Sequence, residues 1–181
     1  MAIINAYTLI RALSVFHITV AYFLLTAPQT LADQTVVIIL GEAMRIPQCS
    51  HFTKPTETTA LAAVILSLSG VSDLIAASLP EITALEYWIS QVPVRLAVLF
   101  GLSGYIYLFK DDGMFGSGSA SMPKFGQQGP GELLKNNLMF TAAFLEMCAW
   151  FWVFTLLREE RGRFAERLAE KRKMEDDMSR L

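Results

Sequence analysis

The sequence predicts an all-α membrane protein: a four-helix transmembrane bundle with a short interfacial helix after the first span and a cytoplasmic helical tail. The 181 residues are 53% hydrophobic and have a positive mean hydropathy of +0.40. Charged residues make up 18% of the chain, below the roughly 25% of soluble domains, and they are concentrated after Leu157. Four apolar runs are each long enough to cross a bilayer, which takes about 20 helical residues.

The predicted spans lie at residues 6–27, 58–79, 87–109 and 134–157. Apolar residues surround each run instead of forming a stripe, which favours lipid contact over the core of a soluble four-helix protein. The apolar run at residues 36–46 is too short to cross, so we expect an interfacial or partly inserted helix there.

The chain divides into a membrane domain, residues 1–157, and a charged tail, residues 158–181. The tail is rich in Lys and Arg, so the positive-inside rule predicts a cytoplasmic C-terminus, and four spans return the N-terminus to the same side. Glu159 and Arg163 form an i,i+4 pair, which is typical of a solvated helix continuing from span four. Phe164 and Leu168 leave open a short coiled coil or a membrane-surface contact.

Two other segments are interpreted without a functional site. The connection at residues 111–131 is rich in Gly and Ser and is predicted to be a flexible loop. The last three residues, 179–181, resemble a peroxisomal address, which we interpret as coincidence on a four-span protein.

Ionisable residues inside the spans are the candidate site. They are costly in lipid, so each is expected to face the bundle interior and to find a partner. Counting about 1.5 Å of rise per residue predicts two pairs, Arg11 with Asp73 and Arg95 with Glu146. Such pairs either fix helix order alone or line a polar path, for which His17 and Glu86 are further candidates.

Motifs for chemistry are absent from the sequence. It contains no His-Glu-x-x-His, no Gly-x-Ser-x-Gly and no Cys/His cluster with metal spacing. The sequence therefore predicts no catalytic residue, no metal site and no cofactor. The net charge of -2 gives no indication of a nucleic-acid partner.

Five stretches carry a resemblance to a known family. They are "AYTLIRALSVFHITVAYFLLTAP", "ADQTVVIILGEAM", "LEYWISQVPVRL", "YLFKDDG" and "FLEMCAWFWVFTLLREER". Together they resemble the fungal family called increased loss of mitochondrial DNA protein. The resemblance implies a small polytopic protein of the endoplasmic reticulum whose loss is linked to unstable mitochondrial DNA, and it implies no catalytic residue.

With that resemblance added, we expect a non-enzymatic protein of reticulum homeostasis, acting as an oligomeric cation channel or polar conduit. One alternative is a non-conducting scaffold or assembly factor that binds other membrane proteins through its tail. A second is a lipid-modifying enzyme that uses Asp73, Glu146 or His17. The expected partners are the lipid bilayer and further copies of the chain. The expected location is the reticulum membrane, with the mitochondrial or peroxisomal membrane as alternatives.

Overall fold

The chain is helical throughout its regular structure. A computed structural model describes residues 5–49, 52, 54–110, 131 and 134–179, and within them it has no strand. Four of its helices are long and apolar enough to cross a membrane, which confirms the predicted fold class. The helices are α1 (Ala6–Thr26), α2 (Pro28–Ala32), α3 (Thr35–Met44), α4 (Glu57–Ala76), α5 (Glu81–Leu108) and α6 (Asn137–Ser179).

The limits of α4 and α5 follow from local chemistry. Thr56 and Thr59 form a capping box at the start of α4, with the Thr56 N–H donating to the Thr59 hydroxyl at 2.9 Å. The helix ends at Ala76, before the predicted limit, because a residue preceding a proline such as Pro80 avoids the helical conformation. Proline is accepted at a helix start, so α5 begins at once with Glu81, six residues before the predicted start.

Helix α6 continues from the fourth span into the tail without a break. Asn137 anchors the start of α6. Its side-chain oxygen accepts from the Cys49 N–H at 3.0 Å, and its backbone N–H donates to the Pro47 carbonyl at 3.0 Å. Residues 111–130 of the predicted glycine-rich loop, and the last two residues of the tail, lie outside the described part of the chain.

Long-range contacts bring the starts of α1 and α5 and part of α6 to one end of the bundle. The Ala6 N–H at the start of α1 donates to the Glu160 carboxylate of α6 at 3.1 Å. The Tyr7 hydroxyl donates to the Glu81 carbonyl at the start of α5 at 3.4 Å. We call this the tail end, because α6 extends beyond the bundle here. Helix α3 packs against α6 near the opposite end.

Each span also presents large apolar side chains outward. Phe16 on α1, Leu68 on α4, Val98 on α5 and Phe151 on α6 are all more than half exposed. Exposed apolar surface on every long helix is what a bilayer solvates and water does not. The bundle is therefore built to lie in a membrane.

Helices α1 and α4 approach each other closely at Gly70. A Cβ added at this glycine would lie 2.8 Å from the Ser14 carbonyl oxygen and 3.2 Å from the Cβ of His17. A backbone oxygen cannot move aside as a flexible side chain can. The missing side chain of Gly70 is thus what allows the two helices to pack, as small residues do in other membrane bundles.

We predict that Gly70→Ala lowers the free energy of unfolding by about 1–3 kcal/mol, the usual cost of overpacking a close contact. Unfolding in mixed detergent micelles, followed by circular dichroism, measures the change. Gly101→Ala on α5 is the matched control, because an added Cβ there meets no atom within 4 Å. Equal losses in the two variants would contradict the close packing at Gly70.

Candidate functional site

An ion pair between Asp73 and Arg95 lies inside the bundle. Asp73, near the end of α4, is 2% exposed, and Arg95 lies at the middle of α5. The Arg95 nitrogens Nη1 and Nη2 donate to the two Asp73 carboxylate oxygens, both at 2.6 Å. This bidentate geometry is the strongest that an arginine and a carboxylate form. A buried carboxylate without such a partner would be highly unfavourable.

Two tryptophans pack against the Arg95 guanidinium. Its central carbon lies 4.6 Å from the ring centre of Trp150 and 5.6 Å from that of Trp88. The two rings are buried and stack on each other, with centres 5.6 Å apart. Both contacts are within range of a cation–π interaction, which adds stabilisation to a charge removed from water.

Glu146 extends the contacts from α6 to α1. Its Oε2 accepts from the Trp150 indole N–H at 2.8 Å, and its Oε1 is hydrogen-bonded to Nε2 of His17. With an ionised carboxylate, which only accepts, His17 Nε2 is the donor of this bond. His17 is 5% exposed, and its Nδ1 has no partner among the described residues.

These contacts form one continuous series, His17–Glu146–Trp150–Arg95–Asp73, which we call the polar chain. It joins all four spans, because its members belong to α1, α6, α5 and α4. With a neutral imidazole it holds two carboxylates and one guanidinium, a net charge of -1.

The polar chain is incompletely covered. The Glu146 side chain is 25% exposed and that of Arg95 is 24% exposed. At about 1.5 Å per residue, Arg95 lies roughly 20 Å from either end of α5, and Glu146 about 14 Å from the start of α6. Polar surface at that depth needs water or another protein group, since hydrocarbon offers no hydrogen bond.

The predicted pairing of the charges is wrong. Arg95 binds Asp73 and not Glu146, whereas Arg11 donates from Nη2 to the Ala77 carbonyl at the end of α4, at 3.0 Å. Depth along a helix fixes the height of a residue but not its rotation about the axis. A long arginine side chain also reaches a carboxylate one turn above or below its own Cα.

The remaining candidates divide between inside and outside. His17 belongs to the polar chain, whereas Glu86 is exposed on α5 and lies apart from it. Sequence reasoning missed Trp88 and Trp150. Their spacing gave a signal: Trp88 is seven residues before Arg95, and Trp150 is four after Glu146, so each shares a helix face with a charge.

Metal chemistry has no support in the described part of the chain. No group of three or more His, Cys, Asp or Glu is placed there to hold an ion. Cys49 and Cys148 are both free thiols.

Comparison with known proteins gives matches across most of the chain. Residues 4–167 match the family model described as "Increased loss of mitochondrial DNA protein 1". The chain is 29% identical over 153 residues to "Protein ILM1" of Saccharomyces cerevisiae, covering 84% of this chain but only 64% of that protein. It is 26% identical over 183 aligned residues to "Protein ilm1" of Schizosaccharomyces pombe, covering 93% and 97% of the two chains. No solved structure matches.

The ion pair generates a double-mutant prediction. Arg95→Leu should lower bundle stability by about 3–5 kcal/mol, because it leaves the Asp73 charge buried and alone. Adding Asp73→Leu should restore much of that loss, since two apolar side chains of similar size need no partner. Unfolding of both single variants and the double variant in detergent micelles gives the coupling energy.

Arg11→Leu combined with Asp73→Leu is the control cycle. Its coupling energy should be near zero, because Arg11 contacts the Ala77 carbonyl and not the carboxylate. A larger coupling of Asp73 with Arg11 than with Arg95 would contradict the ion pair described above.

Proposed function

Since the chain belongs to the family of increased loss of mitochondrial DNA protein 1, we propose that it is a membrane protein needed for the maintenance of mitochondrial DNA. In this proposal the need is indirect, because the apolar spans bind lipid and the net charge of -2 does not favour nucleic acid. The endoplasmic reticulum, as the membrane whose homeostasis the protein serves, is what the family resemblance implies. The start of α1 and the basic tail lie at the same end, which supports a cytoplasmic side for both termini.

The finer function that we propose is an oligomeric cation conduit. The observation that carries it is the exposed part of Glu146, a carboxylate near mid-membrane with a quarter of its side chain uncovered. An intramembrane carboxylate of this kind commonly marks an ion path. The net charge of -1 on the polar chain with neutral His17 favours a cation over an anion.

Several copies are needed for such a path. The interior of one bundle is filled at the polar chain, where Trp88 and Trp150 are buried and stacked. A route for water and ions therefore runs between copies, past the surface that Glu146 reaches. Association of copies would also cover polar surface that lipid solvates poorly.

A catalytic role has less support than conduction. The three groups that an intramembrane enzyme would use, Asp73, Glu146 and His17, are already engaged with protein partners. The proposal is therefore non-enzymatic.

Cation flux from liposomes that contain the purified full-length chain tests the conduit. We expect potassium release above that of protein-free liposomes, and a fall of about tenfold or more in Glu146→Gln, because a neutral amide attracts a cation far less than a carboxylate does. Release is followed with a potassium-sensitive dye.

Glu86→Gln is the matched control, since it removes one carboxylate from an exposed position of the same bundle. Its flux should equal that of the parent. Parent liposomes as tight as empty ones, with the helical content of the protein confirmed, would refute conduction. So would equal flux in the parent and in Glu146→Gln.

A scaffold for other membrane proteins is the second candidate, and the tail favours it. Beyond the bundle, α6 exposes Leu168 at 44%, Met174 at 66% and Met178 at 70% on an otherwise charged helix. Apolar side chains exposed on a helical extension are suited to a partner helix.

The double variant Leu168→Asn with Met174→Asn should then no longer cross-link to the partner proteins that the parent chain captures in intact membranes. Ala165→Asn with Ala169→Asn is the control, because it alters neighbouring exposed positions that carry little apolar surface. Mass spectrometry of the cross-linked products identifies the partners. Undiminished cross-linking in the first variant would exclude this face of the tail.

A further inference from the structure

A cavity of about 410 Å³ opens at the tail end of the bundle, apart from the polar chain. It lies where α1 and α5 begin, where α4 has just ended, and beside the part of α6 that leaves the bundle. Three arginines and two glutamates are among its lining residues: Arg11, Arg163, Arg167, Glu81 and Glu160. We call it the tail-end pocket.

The carboxylates of the tail-end pocket are already engaged. Glu160 accepts from the Ala6 N–H, and Glu81 pairs with Arg167 at 3.5 Å. Arg163 pairs with Glu159 at 3.3 Å, at a position exposed to solvent. Such exposed pairs contribute little and exchange readily for another anion.

Arg11 retains most of its hydrogen-bonding capacity in the pocket. A guanidinium has five N–H donors, and within the described residues Arg11 is bonded to the Ala77 carbonyl alone. Since three guanidinium groups line the pocket against two carboxylates, the pocket has a surplus of positive charge.

The position of the pocket matches the headgroup layer of a bilayer. Leu79 and Ile82, on either side of the turn at Pro80, are 41% and 55% exposed. Their apolar side chains suit the hydrocarbon boundary, whereas the arginines of the pocket lie next to the turn and the charged tail. Basic pockets between spans, at this level, are suited to lipid phosphates.

We propose that the tail-end pocket binds the phosphate of a phospholipid headgroup, with Arg11, Arg163 and Arg167 as donors to the phosphate oxygens. Arginine pairs with phosphate through two parallel N–H···O bonds, which lysine does not form. Glu81 and Glu160 then accept from an ammonium or hydroxyl group of the same headgroup. A volume of about 410 Å³ lies within the range of small-molecule sites and accommodates a headgroup with its glycerol.

Free phosphate has the same chemistry, so the experiment separates the two sources. Full-length protein, stripped of lipid in a neutral maltoside detergent, is titrated with three probes: dioctanoyl phosphatidylethanolamine, dioctanoylglycerol and inorganic phosphate. Affinity is measured by microscale thermophoresis. We expect the phospholipid to bind, the diglyceride to bind at least about tenfold more weakly, and inorganic phosphate to bind weakly because it lacks the acyl chains that hold a headgroup at the bilayer level.

The variant Arg163→Gln with Arg167→Gln removes two pocket cations. It should weaken phospholipid binding by about tenfold or more, the loss of one or two charge-assisted hydrogen bonds. The control, Arg158→Gln with Arg172→Gln, removes the same charge from exposed positions of α6 outside the pocket. The affinity of this control variant for the phospholipid should stay within about twofold of the parent. That is a difference of under half a kcal/mol, which is smaller than the loss of one contact would cause.

Three results would overturn the proposal. Equal losses in both double variants would mean a non-specific attraction to the basic tail. Equal binding of diglyceride and phospholipid would mean that the phosphate is not recognised. Inorganic phosphate binding as tightly as the phospholipid, and equally sensitive to the pocket variant, would identify a soluble phosphate ligand instead of a lipid.

The double variant Arg163→Gln with Arg167→Gln keeps Arg11, which donates to the carbonyl at the end of α4. It changes only side chains that are about half exposed or more, so loss of the fold is not expected. Arg11→Lys is a second variant that keeps the charge but removes the bidentate geometry. It should also weaken phospholipid binding. Unchanged affinity in Arg11→Lys, alongside unchanged affinity in the double pocket variant, would likewise exclude the site.

Discussion

The bidentate contact between Arg95 and Asp73 ties α5 to α4 inside the membrane part of the bundle. Each charge would be highly unfavourable there alone, so neither residue can move without the other. The two tryptophans that pack against the guanidinium belong to α5 and α6, and Trp150 in turn orients Glu146. One ion pair therefore fixes the positions of groups on three helices at once.

Helix α1 joins this arrangement through His17. The close packing of α1 on α4 at Gly70 brings the backbone beside His17 against the glycine, and the imidazole then meets Glu146 of α6. Packing and electrostatics thus act on the same residue. Of the two carboxylates in the polar chain, Glu146 is the exposed one. A quarter of its side chain is uncovered, whereas that of Asp73 is 2% exposed. That polar surface near mid-membrane is the basis of the proposed oligomer and cation path.

The sequence was sufficient for the fold class because hydrocarbon imposes strong rules on composition and length. The four long helices coincide with the four apolar runs, although Pro80 moved the limits of α4 and α5. The residue types of the site were also predictable, since a charge inside an apolar run needs a partner. Their pairing was not, because it depends on the rotation of each helix about its axis and on the reach of Arg95. The roles of Trp88 and Trp150 were missed because aromatic residues are ordinary in apolar spans.

Arg95 and Asp73 are expected to be direct partners in a bilayer, and the distance between their side chains can be measured there. A solid-state NMR dipolar-recoupling experiment on the full-length chain in lipid bilayers, with ¹⁵N-labelled arginine and ¹³C-labelled aspartate, measures that distance, and Asp73→Asn assigns the carboxyl signal. We predict strong dephasing at the Asp73 carboxyl from Arg95, in keeping with nitrogen–oxygen distances of 2.6 Å. Absence of dephasing at the Asp73 carboxyl would mean that the ion pair does not form in a bilayer. Dephasing that persists in Arg95→Leu would mean that another arginine, such as Arg11, is the partner of Asp73.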